Sequence, residues 1–215
     1  MVAARRACAA SDMPRTLTTS CKPCRRAGVS LCGRKKCAAL KRSFPPGAHG
    51  PTRRIRLTPY GIQLREKQMA KQIYGVKERQ FFNYFKKASR TRGNTAEMLV
   101  RMLEMRLDNA VFRLGFCVNR FQARQMVSHG HFDVNGKRVD VPSAQIRTGD
   151  VISVRAKMHS SPFFVAAAEQ LKNTQLPSWL SLDAGALSGK VVAEPAGEEL
   201  RQPFDPKIIV EFYSR

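Results

Sequence analysis

Four cysteines, Cys21, Cys24, Cys32 and Cys37, fall within seventeen residues, spaced x2, x7 and x4. Thiolates are soft ligands, and two close pairs fit a tetrahedral zinc site. Lys22, Arg25, Arg26, Arg34, Lys35 and Lys36 surround them. A Zn2+ held by four thiolates carries net negative charge, so these cations help keep the thiols deprotonated. Reduced structural thiols, disulfides and an iron–sulfur cluster are the rival readings. A cytosolic-looking chain disfavours disulfides, and the run lacks ferredoxin spacing. Cys8 and Cys117 stand outside the pattern, and Cys117 reads as a buried free thiol near a helix end.

The second candidate chemistry is phosphate recognition. Arg106, Arg113, Arg120, Arg124, Lys137, Arg138 and Arg147 crowd one short stretch, with Asp108, Asp133, Asp140 and Asp150 as the only acids among them. A solvated charged surface is the plain alternative. Cations that share helix faces and a hairpin, with few acids between, favour RNA. His129 and His131 flank Gly130 at a helix-end turn, where contact with RNA is a better reading than catalysis or metal binding. Upstream, Arg53, Arg54 and Arg56 extend the charge through a stretch that lacks a core of its own and needs a partner to order it.

The whole composition agrees. Lys plus Arg number 38 against 16 Asp plus Glu, a formal net charge of +22 over 215 residues. Such a charge suits a polyanion, whose neutralised phosphates would supply most of the affinity. The hydrophobic content of 43% argues against a wholly disordered tail protein. No apolar run approaches the length needed to span a bilayer. Nor does the chain show a Ser/His/Asp grouping, paired carboxylates in a plausible pocket, or a glycine loop for phosphates.

These side chains need elements to hold them. Leu107, Ala110, Val111 and Leu114 lie on one face of a helix that Gly115 ends. Arg106 and Arg113 share another side. Asn119 caps the next helix, with Gln122 three residues on. Its buried face is Ala123, Met126 and Val127, its cationic side Arg120 and Arg124, and Gly130 its stop. Phe132–Val134 then alternates like a strand, Asn135-Gly136 is a strong hairpin signal, and Lys137–Val139 returns. Thr148-Gly149-Asp150 turns into a strand at Val151–Val154.

Upstream, Thr58-Pro59 opens a helix running to about Gln72, and a second spans Lys77 to Arg90 with the apolar stripe Phe81, Phe82, Phe85 and Ala88. The stripe reads as core rather than as a stacking platform. Asn94 starts a third helix that buries Leu99, Met102 and Leu103. Downstream come a helix from Pro162 to Lys172, a packed loop with Trp179, and strands at Gly189–Ala193 and Lys207–Tyr213. Glu194, Glu198 and Glu199 form an acidic cluster suited to a basic neighbouring protein. Residues before Cys21 lack apolar periodicity, and either Met1 or Met13 serves as the start.

The stretches RLDNAVFRLGF, NRFQARQMVSHGHFDVNGKRVD and the RTGD turn resemble the S4 RNA-binding domain. With CRRAG, RSFPPGAHG, LREKQ, IYGVKERQF, WLSLD and VEFYSR in order from Cys21 to Arg215, the chain resembles the bacterial-type S4 family of small-subunit ribosomal proteins. The domain alone also occurs in pseudouridine synthases and tyrosyl-tRNA synthetases. Those enzymes need a catalytic domain, for which the flanks here are too short. A free RNA chaperone or translational repressor is the other alternative.

The expected fold is α+β. A disordered extension covers residues 1–20, a four-cysteine zinc segment and basic linker 21–57, and a helical bundle 58–105. An S4 RNA-binding domain of two helices on a short twisted sheet covers 106–170, and a helix/strand tail 171–215 packs on the helical region. The resemblance implies binding to the 5′ domain of small-subunit ribosomal RNA early in assembly. It also implies contact with ribosomal protein S5, an effect on decoding accuracy through that contact, and repression of the chain's own operon by binding its mRNA. The implied location is the small subunit of the cytoplasmic ribosome rather than an organelle ribosome, with no membrane role.

Overall fold

The computed structural model describes residues 21–32, 37–42, 44–52, 56–171 and 174–214, with the side chain of Gln170 left aside. Residues 1–20, Arg53 and Arg54, and Arg34 to Lys36 beside the cysteines lie outside the described residues. Two compact units result, Met1–Arg56 and Leu57–Arg215.

In the first unit there are two short helices, α1 (Lys22–Ala27) and α2 (Ala38–Lys41); Cys21 and Cys37 are their N-cap residues and Cys24 lies within α1. Gly28 adopts φ 76° and closes α1 by donating to the Cys24 carbonyl. The guanidinium of Arg25 donates to the carbonyls of Phe44 and Pro45 at 3.2 and 3.0 Å and lies over the Phe44 ring. That contact anchors the start of the turn-rich Phe44–Thr52 stretch. A side chain at Gly50 would place its Cβ 2.1 Å from the Pro45 carbonyl oxygen, so only glycine fits there.

The second unit begins with three helices, α3 (Pro59–Ile73), α4 (Glu78–Arg90) and α5 (Thr95–Glu104). Thr58 caps α3 by accepting from the Gly61 N–H, with Pro59 at the first turn. Asn94 caps α5, accepting from Ala96 N–H and donating to Glu97 at 2.9 Å. Phe81, Ala88, Leu99, Val100 and Leu103 are buried between them, whereas Phe85 is only half-buried.

Helices α6 (Leu107–Arg113) and α7 (Arg120–Ser128) follow, then strands β1 (Phe132–Val134), β2 (Lys137–Arg138) and β3 (Val151–Val154). Asn119 caps α7 by accepting from Gln122 N–H at 2.9 Å, and the Gln122 side chain accepts from Val118 N–H in return. Asn135 and Gly136 take φ 50° and 74°, the left-handed pair that a tight two-residue hairpin requires.

Past α8 (Ala156–His159) and α9 (Pro162–Leu171), the strands β4 (Leu180–Asp183) and β5 (Ser188–Val191) complete a five-stranded antiparallel sheet in the order β2-β1-β3-β5-β4. Leu107, Ala110, Val111 and Leu114 of the α6 segment bury against this sheet with Ala123, Val127, Phe132, Ile152, Phe164 and Trp179. Gly189 matters to this packing. A Cβ there would sit 2.4 Å from Leu114, so its absence lets the helix rest directly on β5.

Two expectations are overturned. Leu180–Asp183, whose first residues fall in the stretch expected as a packed loop with Trp179, is strand β4 of the sheet. Lys207–Tyr213 is not a strand but lies within helix α10 (Pro206–Tyr213). The run Ile208-Ile209-Val210 carries β-branched residues that favour strand. Asp205 nevertheless caps a helix by accepting from Lys207 N–H, Pro206 occupies its first turn, and Ile209 is fully buried. The helix packs on α3 and α5.

Candidate functional site

The metal candidate is intact in geometry. The Sγ atoms of Cys21, Cys24, Cys32 and Cys37 all lie within 4.8 Å of one another, and the four residues are buried. Four sulfurs at Zn–S distances of about 2.3 Å sit roughly 3.8 Å apart, and Cys21 and Cys32 are already at 4.0 Å. All four are free thiols. Burial pushes the Cys24 thiol up to about 12. At Cys37 burial also raises the thiol, but the Ala39 N–H, the Ser30 hydroxyl and neighbouring thiols overrule it and hold it at about 7. Backbone N–H groups of Ala38, Leu31 and Ala39 aim at Cys21, Cys24 and Cys37 and would stabilise thiolate charge on a metal. The donor set fits a soft tetrahedral ion.

The arginines divide into two populations. Arg106 lies inside the protein at 1% exposure. Its Nε and Nη2 donate to the two carboxylate oxygens of Asp108 at 3.0 and 2.6 Å, and Nη1 donates to the Tyr84 hydroxyl. Arg113 donates through Nε and Nη2 to Glu104 at 3.0 and 3.2 Å. Arg120 donates from Nε to Asn109 Oδ1 at 2.7 Å and lies over the rings of Phe112 and Tyr74. Arg124 donates to the Gly75 carbonyl at 2.9 Å, with Asp108 4.0 Å away and its side chain 35% exposed.

Glu104 is the hub of this arrangement. Besides Arg113, its carboxylate accepts from the Tyr74 hydroxyl at 2.6 Å, from Asn109 Nδ2 at 2.7 Å and from Gln202 Nε2 at 3.1 Å. Arg120 Nη2 approaches to 3.9 Å. Burial would raise the Glu104 carboxyl, but the charge and hydrogen bonds of Arg113, the charge of Arg120 and the Tyr74 bond hold it below the ordinary carboxylate value. Nothing in the periodicity of the sequence singles out Glu104. Its signal is that of an acid at a helix end followed closely by arginines.

Lys137, Arg138, Arg147 and His129 behave differently: all four are exposed. Among the described residues none of the three cations forms an ion pair. Of the acids near them, Asp133 and Asp150 are engaged structurally, whereas Asp140 is exposed. Asp133 pairs with Arg155 at 3.5 Å. Asp150 accepts from Asn135 Nδ2 at 2.8 Å and from the Arg147 N–H at 2.7 Å. Asn135 Oδ1 accepts in turn from Val151 N–H at 2.9 Å. These bonds tie the Asn135-Gly136 turn to the Thr148-Gly149-Asp150 turn, so the hairpin cations and Arg147 belong to one surface. Arg138 lies over Gly130, where a Cβ would come within 2.5 Å of its Nε. His129 is the neighbour of that glycine, and its ring centre is 5.8 Å from that of His131.

Helix α4 adds cations that sequence reasoning left out. Arg79, Lys86, Lys87 and Arg90 are exposed along it, as are Lys77 before it and Arg92 after it. The signal was their repetition along a helix whose apolar residues are all aromatic or alanine. Glu194, Glu198 and Glu199, expected to face a basic neighbour, each have a partner within the chain: Arg101, Arg201 and the Ser178 N–H.

No helix among the described residues is long and apolar enough to cross a membrane. A family model described as the ribosomal protein S4/S9 N-terminal domain matches residues 15–104, and one described as the S4 domain matches residues 105–152. The "small ribosomal subunit protein uS4" of Desulfitobacterium hafniense (strain DSM 10664 / DCB-2) is 48% identical over 201 residues, covering 91% of this chain and 96% of that protein. The uS4A protein of Alkaliphilus metalliredigens (strain QYMF) and the uS4 protein of Syntrophomonas wolfei are 47% and 46% identical over 209 residues, covering 94% of this chain and 100% of each. The chain belongs to the uS4 family of small ribosomal subunit proteins, whose members are constituents of the ribosome rather than enzymes.

Proposed function

We propose that this protein binds small-subunit ribosomal RNA directly, in its 5′ domain, as an early assembly protein of the cytoplasmic small subunit. The observation that carries this reading is the surface of Lys137, Arg138 and Arg147, exposed and without ion pairs, while the nearby Asp133 is paired with Arg155, Asp150 is hydrogen-bonded within the protein, and Asp140 is the one exposed acid beside them. Unpaired guanidinium and ammonium groups on a rigid hairpin are phosphate ligands in waiting. His129 beside Arg138 belongs to the same face. Arg124, its side chain 35% exposed, belongs to the proposed RNA-binding set. Arg53 and Arg54 belong to the proposed RNA-binding set of the basic linker.

In this reading Arg106, Arg113 and Arg120 act chiefly as positioning residues. Their donors hold Asp108, Glu104 and Asn109, and so fix the helices that present the exposed cations. Zn2+ is the metal proposed for Cys21, Cys24, Cys32 and Cys37, as a structural ion that would replace a hydrophobic core in a small basic segment. Ribosomal protein S5 is the proposed protein neighbour, through which the chain contributes to translational accuracy, and the mRNA of its own operon is the proposed regulatory target.

Crosslinking in cells, followed by sequencing of the attached RNA and by gradient sedimentation, tests the reading. Crosslinks concentrated in the 5′ domain and co-migration with the small subunit are expected. A protein that sediments free of ribosomes, with crosslinks confined to mRNA, overturns it in favour of a free repressor.

A further inference from the structure

Where the loop 142–146 runs beside α4, the second unit contains a polar pocket of about 220 Å³, lined by Gln80, Asn83, Tyr84, Lys87, Arg106, Ser143 and Gln145. The loop is fixed there. Leu107 N–H donates to the Ala144 carbonyl at 2.9 Å, Ile146 N–H to the Met105 carbonyl at 3.0 Å, and Arg106 and Gln145 form a β-bridge. The buried Arg106–Asp108 pair and the Tyr84 hydroxyl bonded to it give the pocket a rigid wall. From α4, Gln80, Asn83 and Lys87 are spaced i, i+3 and i+7, so one face of the helix supplies the opposite side.

The side chains that could recognise something are idle. Gln80, Asn83, Ser143 and Gln145 are exposed, and no side-chain hydrogen bond engages them among the described residues. Three carboxamides and a hydroxyl offer donors and acceptors together. A phosphate would use only the donors, and a basic side chain of another protein would need a carboxylate, which the lining lacks. The edge of a nucleobase presents donors and acceptors in alternation and matches this lining. The volume falls below the roughly 300–1,000 Å³ that encloses a whole small-molecule ligand, which suits a fragment such as one base. Exposed Lys86, Lys87 and Arg90 along the same helix, Arg92 just after it, and Arg147 two residues beyond Gln145 supply cations for the backbone of the strand that carries it.

We infer that this pocket receives a single unpaired nucleotide of ribosomal RNA, read through its base edge by Gln80, Asn83 and Gln145. The inference rests on the proposed RNA binding and deepens it, since it assigns one subsite that recognises a base rather than a phosphate.

The test uses the full chain and an RNA of the small-subunit 5′ domain. Reagents attacking the Watson–Crick edges of all four bases are applied to complexes of the wild type and of a variant combining Gln80→Ala, Asn83→Ala and Gln145→Ala. All three positions are exposed, so the fold is retained. The wild type is expected to protect one unpaired base that the variant leaves reactive, with the remaining footprint unchanged. Affinity should fall about tenfold, as one lost base contact of ordinary strength implies. The slope of log affinity against log salt should stay the same, because no phosphate contact is lost. Lys87→Ala should instead lower that slope by roughly 0.7–0.9. Identical footprints and affinities overturn the inference. So does a variant with an intact footprint that fails to bind a neighbouring ribosomal protein, since the pocket then holds a protein side chain. If the wild type gives no footprint anywhere, the RNA-binding reading itself falls.

Discussion

The Glu104 carboxylate, 1% exposed, accepts from Arg113 Nε at 3.0 Å. An acid from the end of α5 and a base from α6 thus neutralise each other inside the protein, and Tyr74, Asn109 and Gln202 complete the shell. Removing one partner of a buried pair leaves an uncompensated charge and typically costs about 3–5 kcal/mol. Glu104→Ala is expected to destabilise by about 3 kcal/mol in a urea titration, the lower end because Arg113 keeps some contact with water. An unchanged midpoint would show that the network does not hold the helices together.

The same carboxylate sets an acid dependence. Glu104 is held below the ordinary value of 4.5, and Glu78, bonded to Lys67 and Lys71, is lowered to about 2. Burial opposes both shifts; for Glu78 the bonds of Lys67, Lys71 and Tyr213 overrule it. A depressed carboxylate binds fewer protons folded than unfolded. For Glu78 this stabilisation is complete above pH 4.5 and drains away as pH falls toward about 2, and for Glu104 it drains away as pH falls below 4.5. Glu104→Gln should flatten the fall in urea midpoint below pH 4.5, and a variant with the wild-type pH profile argues against the assigned shift.

Two phenylalanines on one helix should differ. Phe81 is fully buried, whereas Phe85 is half-buried and stacks on Tyr213 at 4.9 Å between ring centres. Phe81→Ala is expected to cost about 3–5 kcal/mol through lost burial and the cavity left behind. Phe85→Ala should cost less, and equal losses in thermal melts would contradict the half-buried placement.

The hairpin cations should appear in salt titrations. Lys137→Ala with Arg138→Ala removes two exposed cations. Each lost phosphate contact lowers the salt slope by roughly 0.7–0.9, so the pair should lower it by about 1.5 while melting is unchanged. Arg113→Ala should show the opposite pattern, with loss of stability first. If the hairpin variant keeps the wild-type slope, phosphate contacts lie elsewhere.

Metal analysis should give about one zinc per chain, as a single tetrahedral site requires. Cys24→Ser combined with Cys37→Ser should abolish it. Chelation should expose the amides of α1 and α2 to hydrogen exchange, while the melting of Leu57–Arg215 stays in place. Zinc content that survives the double substitution rules out these ligands.

Local chemistry made much of this protein legible before any coordinates. Thr58, Asn94 and Asn119 announce helix starts because their side chains satisfy free N–H groups, and each accepts such a bond here. Asn135-Gly136 announces a hairpin because few other pairs tolerate two left-handed residues. The cysteine spacing predicted a cluster, and the four sulfurs do converge. Each of these signals is read within a few residues.

What the tertiary structure alone decided is where each charge points and what an element packs against. Periodicity leaves the partner of Arg113 open, and its guanidinium meets the buried Glu104 while the side chain stays 30% exposed. Arg106 and Arg138 are the same residue type in the same stretch, but one is bonded to Asp108 in the interior and the other stays exposed. Ile208-Ile209-Val210 has the local preference of a strand and becomes helix because its cap and its packing on α3 and α5 outweigh that preference. Burial, hydrogen-bond partners and helix packing depend on residues tens of positions away, and that distance is why the local pattern cannot contain them.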